Sequence, residues 1–188
     1  MLIPYDGILS PFLRRKRTRV ALPYVQGRVV DIGCGCGELA RHVDSARYVG
    51  VDKDTTIVHV ARTMYPHHTF YTMDEFYNVT NRATKFDTVA SLAVLEHVEN
   101  PLDFMLFLKS LLAENGKIVI TTPHPRSEAI QSLGGKIGLF GSHAHQEHKK
   151  LFDAQDAAEL MNSTDIQIVT GKTFLFGMNQ LFVLGSKK

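Results

Sequence analysis

The chain has 188 residues, of which 44% are hydrophobic and 21% charged, and this ordinary globular composition predicts a single domain over residues 1–188. Its formal net charge of +2 argues neither for nor against an acidic partner. No apolar run approaches the roughly 18 residues of a membrane span, and the N-terminus lacks the pattern of a signal peptide, so we expect a cytoplasmic protein.

Residues 1–27 precede the first predicted strand and form an N-terminal basic segment, with a helix expected from Phe12 to about Pro23. The helix carries a dense basic cluster: Arg14, Arg15, Lys16, Arg17 and Arg19. Such a cluster is either a solvated helix face or a contact for a cofactor carboxylate, a substrate phosphate or an acidic membrane surface. Five charges without interleaved aromatic residues are a thin footprint for nucleic acid, which we do not expect as a partner.

A short apolar run, Val29–Ile32, predicts a buried parallel strand that enters a turn with glycine at alternate positions. These are Gly33, Gly35 and Gly37, and a helix is expected to start at Glu38. Glycine permits a positive φ and a close approach of the backbone to a ligand, and a helix N-terminus offers unpaired N–H groups. The turn is therefore predicted to bind a cofactor.

The two cysteines of the sequence, Cys34 and Cys36, both lie in this turn. They lack the second ligand pair of a structural zinc site, and side chains at alternate positions of a tight turn point apart. We interpret them as small filler residues in a reducing compartment, without a disulfide.

A second apolar strand, Tyr48–Asp52, ends in a carboxylate 19 residues after Gly33. An acidic residue at this spacing accepts hydrogen bonds from ribose hydroxyls, so the two features together indicate an adenosine-containing cofactor. Helical periodicity then predicts a helix over Thr55–Met64, and a third strand follows at His68–Tyr71.

The second half of the chain continues the alternation of strands and helices. Phe86–Leu92 predicts a fourth strand, and Asn100-Pro101 starts a helix that Asn115-Gly116 is expected to end. Lys117–Thr122 predicts a fifth strand. Glycines mixed with apolar residues over 124–150 predict a lid over the ligand site.

The C-terminal part is predicted to hold one helix, capped by Asp153 and running through Met161, and a closing hairpin. The hairpin strands are Ile166–Phe174 and Gln180–Leu184, joined through Gly177. The whole pattern predicts a doubly wound α/β sheet, whose ligands lie beyond the carboxyl ends of the strands.

Four segments follow one another in an order that resembles the class I S-adenosylmethionine-dependent methyltransferases. They are Asp31–Gly37, Gly50–Asp52, Phe86–Val98 and Asn115–Pro123, and Leu95-Glu96-His97 is the most specific element. The resemblance covers residues 25–188 and is closest to the small-molecule branch with the ubiquinone and menaquinone biosynthesis methyltransferases. It implies a Rossmann-like sheet of seven strands, mostly parallel with an antiparallel last strand. It also implies S-adenosylmethionine as methyl donor, with S-adenosylhomocysteine as product.

The resemblance also assigns roles to residues at the strand ends. Asp31, Gly33 and Gly35 would shape the methionine pocket, Asp52 would hold the ribose, and Asp74 would contact the adenine amino group. As an alternative, Asp74 is the N-cap of a short helix. The predicted cofactor site comprises Asp31, Gly33, Gly35, Asp52, Lys53, Met73, Asp74, Ser91 and Leu92.

Methyl transfer from a sulfonium depends mainly on positioning, and a base becomes useful when the acceptor loses a proton. We predict His97, after the fourth strand, and His124, at the start of the lid, as catalytic residues; alternatively, His97 only packs its turn. The lid residues His143, His145 and His148 resemble a metal cluster, but their spacing is loose and we predict no metal site.

The predicted function is methyl transfer to a small-molecule acceptor, through an oxygen. The fourth strand is not followed by the Asn-Pro-Pro-Tyr stretch expected of enzymes that methylate nucleobase amino groups. Two alternatives remain open. One is a nicotinamide-dependent oxidoreductase, although no second mononucleotide half follows, and the other is a non-catalytic S-adenosylmethionine-binding partner subunit.

Overall fold

The computed structural model describes residues 9–81, 83–127, 159–160 and 163–186. Within these residues the fold is built on one seven-stranded sheet with the strand order β3-β2-β1-β4-β5-β7-β6. The strands are β1 (Val29–Ile32), β2 (Tyr48–Asp52), β3 (Thr69–Thr72), β4 (Phe86–Leu92), β5 (Leu112–Pro123), β6 (Ile166–Phe174) and β7 (Asn179–Ser186). The first five pair in parallel, while β7 runs antiparallel to β5 and to β6. The predicted fold class is confirmed.

Four α-helices lie wholly within the described residues: α1 (Ser10–Ala21), α2 (Thr55–Met64), α3 (Met73–Val79) and α4 (Pro101–Ser110). Asp54 and Asn100 cap α2 and α4 with side-chain oxygens that accept hydrogen bonds from first-turn N–H groups. Thr72 caps α3 in a capping box with Glu75. The alternative prediction that Asp74 is an N-cap is therefore wrong.

The segment between β1 and β2 contains no α-helix, so the predicted helix start at Glu38 is also wrong. It consists of turns and two short 3₁₀ helices, Ala40–His42 and Ser45–Arg47. The N–H groups of Gly33 and Cys34 both donate to the carbonyl oxygen of Val51, at 2.8 and 3.0 Å. The start of the turn is thus hydrogen-bonded to the end of β2, and the segment after it buries Leu39, Ala40 and Val43 on the side of α2 without forming an α-helix.

The start of β5 also differs from the prediction. The helix ends at Ser110, and β5 begins at Leu112, which pairs with Phe86 ahead of the predicted end of the helix at Asn115-Gly116. A shift in pairing register between β4 and β5 follows, and Asn115 adopts a φ of 61° within it. Pairing with β4 and burial of the Leu112 side chain outweigh the local helix-ending signal.

Helices cover both faces of the sheet, and α1 packs on β5 and β7, where Ala21 shares an apolar cluster with Val119 and Leu181. Val30 and Ile32 of β1 belong to the apolar cluster that α3 and α4 cover, whereas Val29 faces the side of α2. Asp31 alternates with these residues and therefore points to the same side as Val29. Among the described helices, none is both long and apolar enough to cross a membrane.

Most of the predicted lid at 124–150 lies outside the described residues, as does most of the helix predicted from Asp153 to Met161.

Candidate functional site

A pocket opens beyond the carboxyl ends of β1 and β4, where the strand order changes direction. Four residues of the predicted cofactor site line it together: Asp31, Gly33, Gly35 and Leu92. Arg14, Arg17 and Thr18 of α1 line it from the other side, and the rest of the lining is Cys34, Glu38 and Leu39. The fold thus brings the N-terminal basic segment onto the glycine-rich turn.

The glycine-rich turn leaves open space at its centre. Gly33, Gly35 and Gly37 all have positive φ, at 77°, 53° and 83°, a conformation that L side chains rarely adopt. A Cβ atom placed on Gly35 would meet no heavy atom within 4 Å. This space, on the lining of the pocket, is available to a ligand that approaches the backbone closely.

Asp52 connects the end of β2 to the glycine-rich turn. Its Oδ2 accepts a hydrogen bond from the N–H of Gly35 at 2.9 Å, and its Oδ1 accepts one from the N–H of Asp54 at 3.1 Å. A carboxylate has about four acceptor sites, so both oxygens can still accept a hydroxyl proton. Asp52 therefore fits the predicted ribose contact and also orients the turn.

Asp31 is the buried carboxylate of the pocket, with 3% of its surface exposed. The hydroxyl of Tyr48 donates to its Oδ2 at 2.9 Å. Burial raises the pKa of Asp31 to about 7, the Tyr48 hydrogen bond opposes that rise, and the charge of Asp52 adds to it. A ligand cation at Asp31 would favour its ionised form.

Arg17 is held from two sides. Its Nε donates to Oδ1 of Asn179, at the start of β7, at 3.2 Å. Burial lowers the pKa of the Arg17 guanidinium, the negative charge of Glu96 opposes that effect, and the charge of Arg14 adds to it. The guanidinium is therefore positioned at the pocket instead of moving freely in solvent.

Glu96 is the buried carboxylate whose charge acts on Arg17, and only 1% of its surface is exposed. Oγ1 of Thr122 on β5 donates to its Oε2 at 3.3 Å. Burial raises the pKa of Glu96 to about 7, although the charge of Arg17 opposes the rise. No role was predicted for Glu96 from the sequence. Its position in the Leu95-Glu96-His97 element, the most specific part of the family resemblance, was the one feature that could have indicated a role.

This buried carboxyl group predicts a pH dependence of folding stability. Glu96 keeps its proton up to about pH 7 when folded but loses it near its ordinary value of 4.5 when unfolded, so ionisation opposes folding as the pH rises between these values. Glu96→Gln cannot ionise. Its free energy of unfolding, relative to wild type, should therefore rise by up to about 1.4 kcal/mol per pH unit in this range.

Denaturant titrations at several pH values measure the effect. Glu114→Gln, at an exposed position of β5, is the matched control and should keep a constant difference from wild type. A constant difference for Glu96→Gln as well would contradict the prediction.

The two predicted catalytic histidines lie after β4 and after β5. His97 ends the 3₁₀ helix Leu95–His97, and its N–H donates to the carbonyl oxygen of Val94 at 2.8 Å. The ring Nδ1 of His124 accepts from the N–H of Arg126 at 3.1 Å. A neutral imidazole has one donor and one acceptor nitrogen, so with Nδ1 accepting, Nε2 of the neutral ring is the donor nitrogen of His124. This geometry favours His97 over His124 as a base.

The remaining residues of the predicted cofactor site are not on the pocket lining. Lys53 and Asp74 are exposed, whereas Met73 packs against the core. Lys53 directly follows β2, and Met73 and Asp74 directly follow β3; the last residues of these two strands, Asp52 and Thr72, are paired. Ser91 is fully buried in β4, and its Oγ has no hydrogen-bond partner among the described residues. Their contacts with a cofactor remain predictions.

Cys34 and Cys36 are buried and are not joined in a disulfide, in agreement with their interpretation as filler residues. Within the part of the chain that the structure describes, no three His, Cys, Asp or Glu side chains are grouped to hold a metal ion. His143, His145 and His148 lie outside the described residues.

Comparison with known proteins gives two kinds of similarity. A family described as a methyltransferase domain matches residues 5–170. The chain is 27% identical over 166 residues to the ubiquinone biosynthesis O-methyltransferase of Roseobacter denitrificans, which covers 82% of this chain and 65% of that protein. The chain spans between 37% and 66% of the length of the ubiquinone biosynthesis O-methyltransferases that it matches.

The fold is also similar to solved structures. One is the magnesium protoporphyrin IX methyltransferase of Synechocystis PCC 6803 with bound S-adenosylhomocysteine, with a TM-score of 0.67 at 20% identity, covering 93% of this chain and 84% of that one. Another is a complex of the Haloferax volcanii Trm112 methyltransferase activator with a putative methyltransferase, with a TM-score of 0.72 at 14% identity and coverages of 93% and 91%. At these identities the similarity supports the fold alone.

Proposed function

The chain belongs to the class I S-adenosylmethionine-dependent methyltransferase domains, and on that premise we propose that it methylates an oxygen of a small molecule. Family membership confirms the predicted family, enzyme class and methyl donor. It removes the nicotinamide-dependent oxidoreductase from the alternatives. The choice of oxygen follows the O-methyltransferases that the chain resembles, at 27% identity for the relative from Roseobacter denitrificans.

The observation that carries the proposal is a pocket lined by charges of both signs. The methionine part of the cofactor is a zwitterion, with a carboxylate and an ammonium group. We assign the carboxylate to Arg14 and Arg17 and the ammonium group to Asp31, which all line the pocket. The space beside Gly35 fits a ligand held against the backbone.

The other predicted contacts extend this assignment. Asp52 would accept hydrogen bonds from the ribose hydroxyls, and Asp74, in the first turn of α3, would accept one from the adenine amino group. Lys53, Met73, Ser91 and Leu92 would complete the cofactor site.

When bound, S-adenosylmethionine supplies an activated methyl group. A hydroxyl acceptor must lose its proton as the new oxygen–carbon bond forms, and we assign that proton to a ring nitrogen of His97. His97 directly follows two buried residues, Leu95 and Glu96, and this anchoring limits its movement. His124 would bind the acceptor by donating from Nε2. The lid over the acceptor and the cytoplasmic location remain predictions.

A transfer assay tests the function. Methyl-labelled S-adenosylmethionine is incubated with the protein and metabolite fractions, including quinone precursors, and label is expected in an O-methyl group of a small molecule. Label in no fraction, together with normal binding of S-adenosylhomocysteine, would instead favour the non-catalytic partner subunit.

Replacing Asp52 by alanine should weaken binding of S-adenosylhomocysteine by about 1.5–3 kcal/mol, because it removes a charged hydrogen-bond acceptor. Calorimetry measures the affinity. Asp44→Ala is the control, since that exposed carboxylate caps the short helix Ser45–Arg47 by accepting from the N–H of Ala46 and not from the glycine-rich turn. An unchanged affinity of the Asp52 variant would remove Asp52 from the site.

Replacing Arg17 by glutamine should weaken S-adenosylhomocysteine binding by about 1.5–3 kcal/mol, because the variant loses the charge assigned to the ligand carboxylate. Binding of methylthioadenosine, which has no amino-acid part, should be nearly unchanged. The control is Arg15→Gln on the exposed side of the same helix. Equal losses for both ligands would show that Arg17 acts on the fold of the pocket and not on the carboxylate.

A further inference from the structure

The hairpin between β6 and β7 has an apolar tip, Leu175-Phe176-Gly177-Met178. Phe176 is fully exposed, with 101% relative accessibility. Fully exposed aromatic side chains at the end of a hairpin contribute nothing to the core. The position of Phe176 therefore calls for an explanation outside the stability of the domain.

The backbone of the tip makes this choice of residues more unusual. Leu175 and Phe176 have φ values of 51° and 56°, in the left-handed region that hairpin turns usually fill with glycine or asparagine. Large apolar side chains are unfavourable in this conformation. The tip thus keeps two apolar residues at a cost that a polar turn sequence would avoid.

The exposed side of α1 carries basic and aromatic side chains. Phe12, Arg15 and Arg19 are exposed, and the Nζ atom of Lys16 lies 5.6 Å from the centre of the Phe12 ring. The basic cluster of α1 therefore has two parts, because Arg14 and Arg17 line the pocket and the other three basic residues do not. Arg15, Lys16 and Arg19 have no part in the assigned cofactor site.

The tip and α1 are neighbours. Arg17 of α1 donates to Asn179, three residues after Phe176. Lys172 of β6 lies with its Nζ 5.0 Å from the centre of the Tyr24 ring, just after α1. Neither Ser10–Ala21 nor Ile166–Ser186 contains an acidic residue.

We propose that the Leu175–Met178 tip and the exposed side of α1 together dock on an anionic lipid bilayer. A protruding aromatic residue beside positive charges fits the boundary between headgroups and acyl chains, where the ring is buried and the cations meet lipid phosphates. A bilayer accepts a convex apolar tip because it needs no matching cavity. The cations of α1 and Lys172 of β6, in two segments without an acidic residue, favour a surface of negative charge.

Vesicle sedimentation tests the apolar part of the surface. Wild type should bind phosphatidylcholine vesicles that contain phosphatidylglycerol and should bind pure phosphatidylcholine weakly. Phe176→Asn should lower the partition coefficient about tenfold or more, on the usual effect of burying an aromatic side chain. Its melting temperature should be unchanged or higher, because asparagine suits a positive φ. Tyr77→Gln, at an exposed position on α3, is the matched control and should bind like wild type.

The double change Arg15→Gln and Arg19→Gln tests the charged part. It should lower binding to the anionic vesicles about thirtyfold and leave binding to neutral vesicles unchanged. The control is the double change Arg41→Gln and Arg47→Gln, which removes the same charge at two exposed positions between β1 and β2. It should have a small effect on binding to the anionic vesicles.

If the tip variant and the helix variant both bind the anionic vesicles as strongly as wild type, the proposal is wrong. An equal loss in the control variants would also overturn it. The same holds if wild type ignores the vesicles and binds a single-stranded oligonucleotide, since the surface would then serve nucleic acid. All these measurements are independent of methyl transfer.

Discussion

Replacing His97 by glutamine should lower the turnover of methyl transfer about 10²–10⁴-fold, the usual contribution of a positioned general base. Glutamine keeps a hydrogen-bonding side chain of similar length but cannot take a proton at neutral pH. The affinity for S-adenosylhomocysteine should change little, because His97 is not on the lining of the cofactor pocket. The two effects together separate a role in proton removal from a role in cofactor binding.

His124→Gln is the matched control for this prediction. Because Nδ1 of His124 accepts from the N–H of Arg126, we expect its loss to act mainly on acceptor affinity, with a smaller decrease in turnover. Steady-state kinetics of both variants measure turnover and KM separately. A larger loss of turnover in the His124 variant would indicate that His124 is the base and that His97 binds the acceptor. A lower melting temperature of the His97 variant, with unchanged turnover, would support the alternative in which His97 only packs its turn.

Replacing Gly35 by valine should reduce S-adenosylhomocysteine binding at least about 100-fold. A branched side chain would fill the open space beside Gly35 that we assign to the cofactor, and steric exclusion of a ligand costs more than loss of one hydrogen bond. The positive φ of 53° adds a cost to folding of about 1–2 kcal/mol, and the branched side chain increases it. We therefore expect a modest decrease in melting temperature beside a large loss of affinity.

Gly177→Val provides a control for the backbone strain. Gly177 has a φ of 79° and also has open space around its position for a Cβ atom, but it lies in the β6–β7 turn and not on the pocket lining. Its melting temperature should decrease by a similar amount while calorimetry shows normal binding. If Gly35→Val retained its affinity, the open space beside Gly35 would not belong to the cofactor.

Much of the site was predictable because it depends on short stretches of sequence. The apolar run Val29–Ile32, the glycines after it and the carboxylate of Asp52 each follow from local composition and spacing. The same is true of α2, whose bounds of Thr55–Met64 agree with the prediction. Its helical periodicity of apolar residues and its N-cap residue, Asp54, lie within one short segment of the chain. The resemblance to a known family then supplied the number of strands in the sheet and the antiparallel direction of the last one.

Two local predictions were wrong for one physical reason. Contacts with distant parts of the chain outweigh the local signal in both: the segment after Gly37 buries Leu39 against α2, and β5 starts by pairing with a distant strand. Hydrogen bonds to Val51 hold the glycine-rich turn, and pairing with Phe86 begins β5 at Leu112. Local helix signals are weak compared with the burial and hydrogen bonding that such pairing provides.

Most strand segments and the glycine-rich turn could be predicted because each depends on residues that are close together in the chain. The role of its basic helix depended on the tertiary structure. The bond between Arg17 and Asn179 joins residues 162 positions apart, and the bond between Thr122 and Glu96 joins residues 26 apart. No local pattern records such contacts, because they exist only when the sheet has brought α1, β5 and β7 together. That packing places Arg14 and Arg17 at the pocket and leaves the other side of the helix exposed.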